Sequence, residues 1–279
     1  MELVGVVLKD NSERAADIAM ILKSYLDSKK IGYITIHSRV GEIDEKMKRR
    51  IPECDLAVAL GGDGTLLFAS RNFSLYDIPI VGINLGGLGF ITEFRESELL
   101  ECMECMVSGR PAFEERMMID VCVYSDGKRV WNSTGLNDLV INTGGISRLL
   151  LLEVSSGKHL IGTYRSDGII VATPTGSTAY SLSAGGPLLD PVMRAFVISP
   201  ICPHSLGIRP MVVPSEETIR IRVMSKGREI NVTLDGQVAF ELKDADEVRV
   251  TRSEKITRLV SLGKRSFYDI VREKLSWKG

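Results

Sequence analysis

No apolar run in this chain approaches the ~20 residues that a membrane-spanning helix needs. The opening MELVGVVLKD has neither a basic leader nor a cleavable apolar core, so no signal peptide is expected. Charge surplus is missing as well. The 35 Lys and Arg residues are met by 36 Asp and Glu, which leaves no field of one sign to hold nucleic acid or a membrane surface. Cysteine is sparse and odd in number: the five (Cys54, Cys102, Cys105, Cys122, Cys202) are scattered, which argues against a disulfide framework. Cys102 and Cys105 have CxxC spacing, but no second Cys or His pair lies nearby, and a zinc site wants four ligands. The three histidines (His37, His159, His204) are too dispersed for a metal cluster. Two common phosphate loops are also absent: no G-x-G-x-x-G follows a strand and no GxxxxGK[ST] occurs. No repeat or low-complexity segment is evident. These absences lead to the expectation of a cytoplasmic protein with reduced structural thiols and with neither nucleic acid nor membrane as partner.

The 279 residues, 44% apolar and 25% charged, are ample for one large domain or two ordinary ones. Leu3–Leu8, Tyr33–His37, Leu56–Leu60 and Ile78–Ile83 read as strands. They alternate with helical patterns over Asn11–Lys30, Asp44–Arg50, Leu66–Arg71 and Glu96–Val107. That alternation predicts a parallel sheet with right-handed crossovers, whose ligands sit outside the carboxyl ends of the strands, where Gly61–Gly64 and Asn84–Gly89 fall. After Gly109-Arg110-Pro111 the texture changes. Short alternating runs (Met118–Tyr124, Val130–Trp131, Leu149–Val154, Ile169–Ala172, Val197–Ile201, Ile219–Val223, Ile230–Leu234, Val248–Thr251) are separated by turns at Asp126-Gly127, Lys226-Gly227 and Asp235-Gly236. The fold class expected is an N-terminal α/β domain (residues 1–110) plus an all-β antiparallel sandwich (111–262). The amphipathic helix over Ser266–Leu275, within residues 263–279, is expected to return to the first domain.

Two stretches carry chemistry. In Gly61-Gly62-Asp63-Gly64-Thr65 a strand passes through a glycine turn into a helix, which can bring backbone N–H groups against a phosphate while Asp63 faces substrate hydroxyls. In Asp167–Pro187 (DGIIVATPTGSTAYSLSAGGP) a buried strand runs into a loop crowded with hydroxyls and closed by glycines, suited to ribose or phosphate oxygens. Plainer readings stand beside these. Asp63 could be a turn aspartate, the serine-rich loop a sandwich edge, and Asn137-Asp138 a polar entry to a strand. His204 reads as a packed histidine with its ring hydrogen-bonded, and Arg209 as the partner of an internal carboxylate.

The GGDGT of Gly61–Thr65, Asn137-Asp138, the Asp167–Pro187 block, Pro200–Pro214 (PICPHSLGIRPMVVP) and Leu234-Asp235-Gly236-Gln237 occur in the order and spacing of the NAD kinase family, which the chain resembles over nearly its whole length. GGDG alone is weaker, since phosphofructokinases and diacylglycerol-type lipid kinases carry similar turns. The resemblance implies phosphorylation of the adenosine ribose 2′-hydroxyl of NAD to NADP, with ATP or polyphosphate as donor and a divalent metal, Mg²⁺, as cofactor. It makes Asp63 the acid at the hydroxyl and puts Asp63, Gly64 and Phe68 at the dinucleotide. Asn137 and Asp138 would bind the adenosine end, although many members have Glu at the second position. Thr178, Ala179, Tyr180, Ser181, Leu182 and Ser183 would wrap adenosine and ribose. Asp167 would face the nicotinamide side, and Arg148, Arg165 and Gln237 match positions that contact NAD, some from a neighbouring subunit. The family fold places NAD between an α/β domain and a β-sandwich, in a homodimer or homotetramer. An ordinary Asp carboxylate, with a pKa of ~3.9, is a poor base for an alcohol. Asp63 is therefore expected mainly to orient the hydroxyl and accept its proton late in a loose transition state. A lipid kinase and a non-catalytic dinucleotide sensor are the competing readings.

Overall fold

A computed structural model of the chain describes residues 1–39, 43–87, 89–109, 111–144, 149–225 and 229–277. Arg148 and the expected turn at Lys226-Gly227 lie outside them. The chain divides into two compact units, Met1–Arg116 with Lys255–Gly279, and Met117–Glu254.

In the first unit, β1 (Leu3–Leu8) is an apolar run buried on both faces, as a central parallel strand must be. α1 (Glu13–Ser28) follows, capped by the Ser12 hydroxyl, which accepts from the Ala15 amide at 3.2 Å. The helix starts two residues later than its pattern suggests because Asn11 is left-handed, at φ 52. β2 (Gly32–His37), α2 (Glu45–Arg50), β3 (Leu56–Gly61), α3 (Asp63–Phe73), β4 (Ile80–Asn84), β5 (Phe94–Arg95) and α4 (Leu99–Val107) come next. The strands pair in parallel in the order β2-β1-β3-β4-β5. Ile18 and Leu22 of α1 and Cys102 and Met103 of α4 pack with Val4, Val6, Leu56 and Val58 of the sheet.

Boundaries shift for identifiable reasons. α3 begins at Asp63 rather than Leu66, directly after the glycine turn. β4 begins at Ile80 rather than Ile78, because the Ile78 amide bonds the Phe73 carbonyl at 3.4 Å and Pro79 has no N–H. The expected helix over 96–107 opens as a 3₁₀ turn at Glu96–Glu98 before α4.

The chain enters the second unit along β6 (Ala112–Ser125), which forms an antiparallel hairpin with β7 (Lys128–Gly135). Asp126 and Gly127 turn it, both at positive φ, as a tight hairpin requires. Then come β8 (Asp138–Thr143), β9 (Leu150–Ser156), β10 (His159–Ser166), β11 (Gly168–Ala172) and the single turn α5 (Tyr180–Ser183). They are followed by β12 (Ala195–Ile201), β13 (Met211–Pro214), β14 (Ile219–Val223), β15 (Ile230–Leu234), β16 (Val238–Leu242) and β17 (Glu247–Ser261). One antiparallel sheet has the order β13-β12-β11-β8-β15-β16. A second antiparallel ladder runs β10-β9-β14 and on to the first half of β17. Alternate residues of both sheets (Ile119, Leu139, Ile141, Leu152, Ile169, Val232, Val250) fill one core, so the unit is a sandwich. β11 reads as an unbroken apolar run because its other face is covered too: Ile170 and Ala172 pack with Val140, Leu189 and Val197.

β17 leaves the second unit at Glu254 and gives its last residues to the first, where Leu259 pairs in parallel with Ile80. There the Thr257 hydroxyl, fully buried, lies 2.6 Å from Ser70 Oγ and 2.9 Å from Ser74 Oγ, tying α3 to this strand. α6 (Phe267–Lys274) returns to the same unit with Ile270 and Val271 buried, capped by a reciprocal Ser266–Asp269 box.

Candidate active site

β3 ends at Gly61, Gly62 turns the chain, and Asp63 is the first residue of α3. The Asp63 carboxylate gathers four donors from one neighbouring loop. Oδ2 accepts the Phe90 amide at 2.9 Å; Oδ1 accepts the amides of Ile91 (3.3 Å) and Thr92 (3.1 Å) and the Thr92 hydroxyl (2.9 Å). The Thr92 hydroxyl in turn accepts from buried Asn84 at 2.7 Å. Gly89 is obligatory in this loop, since a Cβ there would lie 2.1 Å from Asp63 Oδ1. The bond pattern is unequal: Oδ1 is saturated, whereas Oδ2 has one donor and room for another. Asp63 is half-buried, so that remaining lone pair is within reach of a hydroxyl. The glycine turn thus presents its acid already immobilised by protein amides. Phe68, one turn further along α3, is a core residue, 3% exposed, with the Arg71 guanidinium 5.6 Å from its ring centroid. A cleft of about 480 Å³ lined by Asn84, Leu85, Gly86, Arg95 and Glu273 opens at the carboxyl ends of β4 and β5.

The second cluster is built around a residue that the sequence showed only as part of a turn and a motif, with no role of its own. Asp235, in the turn between β15 and β16, is buried with φ 52. Its carboxylate accepts three consecutive amides, Leu136 (2.9 Å), Asn137 (2.7 Å) and Asp138 (3.2 Å), and its own amide donates to the Asp138 carbonyl at 2.8 Å. From the other side the Thr173 amide bonds the Asn137 carbonyl at 2.8 Å, and the Thr173 hydroxyl bonds the Leu136 carbonyl at 2.6 Å. Gly176 lies so close that a Cβ there would meet the Asn137 carbonyl oxygen at 2.1 Å. Three sequence-distant stretches, 136–138, 173–178 and 234–237, are thereby fixed to one another. Their polar atoms are not all spent on each other: Asn137 Oδ1 and Thr175 Oγ1 are buried without a hydrogen-bond partner. An unmade buried hydrogen bond is costly enough that such atoms mark a place for a ligand or an ordered water. Burial, and secondarily the Asp235 charge, pushes the Asp138 carboxyl up to about 7.

The hydroxyl-rich loop is more self-contained than its composition suggests. Thr173, Ser177 and Ser181 are fully buried, and their hydroxyls are already bonded within the protein. Ser177 Oγ donates to the Pro174 carbonyl at 2.6 Å and accepts the Leu189 amide, and Ser181 Oγ pairs with Ser199 Oγ at 2.9 Å. A 3₁₀ turn (Thr175–Thr178) followed by the single turn of α5 leaves carbonyls that no helix ladder satisfies, and side-chain hydroxyls supply the missing partners. Thr178 is half-buried, its hydroxyl 3.0 Å from the Thr175 carbonyl. Ala179 and Leu182 are half-buried, and Tyr180 and Ser183 exposed. Arg165 is an exposed residue of β10, Asp167 is half-buried just after that strand, and Gln237 is half-buried after the Asp235 turn. Arg148 lies outside the described residues.

Two expectations are corrected. His204 is exposed rather than packed, and the position is held by its backbone amide, which bonds the Arg165 carbonyl at 2.8 Å. Arg209 serves carbonyls rather than a carboxylate, its Nη1 donating to Ile208 O at 2.9 Å and also to Leu206 O. Two thiols are buried and structural: burial pushes Cys102 up to about 12 and Cys54 up to about 11, far from the reactive thiolate range, whereas Cys105 and Cys122 are half-buried and Cys202 is exposed.

Residues 42–110 match the profile of the ATP-NAD kinase N-terminal domain, and residues 136–262 that of the ATP-NAD kinase C-terminal domain. An NAD kinase of Heliobacterium modesticaldum is 39% identical over 99% of this chain and 99% of its own length. One from Moorella thermoacetica is 41% identical over 100% of this chain and 91% of its own. Among solved structures, a yeast NADH kinase complexed with NADH superimposes with a TM-score of 0.83 at 24% identity, covering 100% of this chain and 89% of the other. An Archaeoglobus fulgidus NAD kinase in complex with ATP gives 0.77 at 22% identity, covering 99% and 100%. These two neighbours establish the shared fold. Matches to both domain profiles, and relatives about 40% identical from end to end, make this chain a member of the NAD kinase family, a phosphotransferase that phosphorylates NAD.

Proposed function

We propose that the reaction phosphorylates the 2′-hydroxyl of the adenosine ribose of NAD to give NADP, with ATP or polyphosphate as donor, and that Asp63 is the acid at that hydroxyl. The observation that carries this reading is the Asp63 carboxylate: four donors fix it, yet Oδ2 keeps acceptor capacity at a half-exposed position on the glycine turn. Phosphoryl transfer asks for positioning more than for a strong base, and a rigid carboxylate supplies orientation. Adenosine binding falls to Asn137 and Asp138, supported by the unpartnered Asn137 Oδ1 and Thr175 Oγ1. Gly64 and Phe68 stand with Asp63 in this reading, Phe68 as packing beneath the turn. Thr178, Ala179, Tyr180, Ser181, Leu182 and Ser183 form the wall around adenosine and ribose, with Ser181 acting through its buried bond to Ser199. Asp167, Arg148, Arg165 and Gln237 belong to the remainder of the NAD site. The β-rich domain is the main NAD-binding one.

The cation, Mg²⁺ in this proposal, rests largely on donor phosphates. Among the described residues no three of His, Cys, Asp or Glu converge, and Mg²⁺ in kinase sites typically needs only one or two carboxylates besides phosphate and water. A homodimer or homotetramer is supported by the edge strand β13, which exposes Met211 and Val212, and by Val192 and Leu206 in the flanking loops, 81% and 90% exposed. A cytoplasmic location accords with five cysteines of which none forms a disulfide.

The test is Asp63→Asn, assayed for NADP formation with ATP and with polyphosphate offered separately, alongside equilibrium NAD binding. Turnover should fall by roughly 10²–10⁴, the usual worth of a positioned acid or base, while NAD affinity changes only a few-fold. Full turnover in the variant would remove Asp63 from the mechanism.

A further inference from the structure

The loop that immobilises Asp63 is itself held from behind. Phe90, Ile91 and Thr92 donate their amides to the Asp63 carboxylate, and the next residue, Glu93, offers its backbone carbonyl to the Arg265 guanidinium, Nη1 to O at 2.6 Å. Arg265 lies in the short connection between β17 and α6, with its side chain only 19% exposed. Its other terminal nitrogen lies 3.6 Å from Glu98, a carboxylate that also accepts the Arg95 amide at 2.8 Å. Further along, the Lys274 ammonium sits 5.5 Å from the Phe90 ring centroid, and Arg95 pairs with Glu273 at 3.7 Å. Phe267 and Ile270 of α6 face Phe90, Ile91 and Phe94 across a gap of only about 20 Å³, room for one water. Residues 90–95 are therefore bracketed, with Asp63 on one side and the segment 265–274 on the other. Within that bracket the Arg265–Glu93 bond is the charge-assisted, largely buried contact next in sequence to the amides that matter. Lys274 and Glu273, by contrast, are exposed.

We infer that Arg265 is a positioning residue for phosphoryl transfer: through the Glu93 carbonyl it fixes the three amides that orient the Asp63 carboxylate. The inference rests on the reading of Asp63 as the acid at the substrate hydroxyl. Arg265 touches no reacting atom, so its loss acts on the orientation of the acid rather than on NAD binding. It should appear in kcat and not in KM.

The experiment compares Arg265→Ala, Arg265→Lys and the neighbouring Lys264→Gln with the parent enzyme. Lys264 makes exposed ion pairs with Glu98 and Glu101 and serves as the control for general attachment of this segment. In Arg265→Ala, kcat should fall about tenfold or more with KM for NAD within about twofold, and Arg265→Lys should recover part of the loss. Amide hydrogen exchange at Phe90, Ile91 and Thr92 should quicken about tenfold while the amides of β1 and β3 keep their protection. Lys264→Gln should match the parent. An unchanged kcat below the melting temperature, or exchange that rises uniformly through the unit, overturns the inference and leaves Arg265 a stabilising residue only. If Arg265→Ala does not fold, Arg265→Lys is judged by the same two readouts. Asp63→Asn keeps the tests distinct: activity there refutes the role of the acid, whereas an inactive Asp63→Asn with an indifferent Arg265→Ala refutes only the role of the arginine.

Discussion

Asp138 offers a prediction whose size follows from its surroundings. The side chain is 5% exposed, lies beside the Asp235 carboxylate, and has its carboxyl pushed up to about 7, mostly by loss of hydration and then by the Asp235 charge. In the unfolded chain the same group ionises near its ordinary value of about 4. Between those limits the native state keeps a proton that the unfolded state has released. The unfolded state thus binds fewer protons, and stability falls as pH rises. The slope is about 1.4 kcal/mol per pH unit once the unfolded group is ionised, and it fades as pH passes about 7. From pH 5 to pH 8 Asp138 alone should cost the folded protein roughly 2–3 kcal/mol.

The perturbation is Asp138→Asn, a near-isosteric change that removes the titration. Denaturant unfolding of parent and variant, measured without NAD at intervals from pH 5 to pH 8.5, gives both stability curves. Burial also pushes the Glu93 carboxyl up, so the parent curve alone does not isolate Asp138; the difference between the two proteins does, because Glu93 is common to both. The difference should grow in favour of the variant by roughly 2–3 kcal/mol across the range. Parallel curves would show that Asp138 titrates normally in the fold, and the buried setting described for it would be wrong.

The remaining predictions concern the same cluster. Thr175→Val removes a buried hydroxyl that has no protein partner, so stability should hold within about 0.5 kcal/mol while NAD affinity falls about tenfold, as equilibrium binding would show. Gly176→Ala forces a Cβ to within 2.1 Å of the Asn137 carbonyl oxygen, a backbone atom that cannot swing aside, and should cost about 3 kcal/mol in denaturant unfolding.

Much of the architecture was legible because each unit writes its periodicity plainly. Leu56–Leu60 and Ile169–Ala172 are unbroken apolar runs because both faces of β3 and β11 are covered. The stripe of Phe267, Ile270, Val271 and Leu275 was enough to identify α6 as a docked helix. Less was legible where polar residues serve the fold. β10 was not singled out, since His159–Ser166 places only Tyr164 and Ser166 fully inward and carries no strong alternation. The hydroxyls of Thr173, Ser177 and Ser181 looked like ligand contacts because residue type cannot tell a hydroxyl that meets a ligand from one already bonded inside the protein. His204 failed for a related reason: a histidine ring suggested a packed, hydrogen-bonded side chain, yet what is fixed there is the backbone amide, which every residue except proline possesses.

The two aspartates of the Asp-Gly turns at 63–64 and 235–236 show where sequence reasoning has to stop. Each collects three consecutive amides of a distant segment, 90–92 for Asp63 and 136–138 for Asp235, and each is followed by glycine. By residue type and bonding they are the same device, a carboxylate that fastens a loop. Burial separates them. Asp235 is 8% exposed, and its two oxygens are both turned to backbone amides inside the sandwich, where they fix the placement of Leu136, Asn137 and Asp138. Asp63 stands half-exposed with acceptor capacity left on Oδ2, so the same fastening makes it rigid without closing it to a hydroxyl. In the proposed mechanism one clamp therefore shapes the binding surface and the other presents the acid. Because exposure depends on residues contributed from far along the chain, Gly89 and Thr92 in one case and Thr173 and Gly176 in the other, the distinction is a property of the fold and not of either motif.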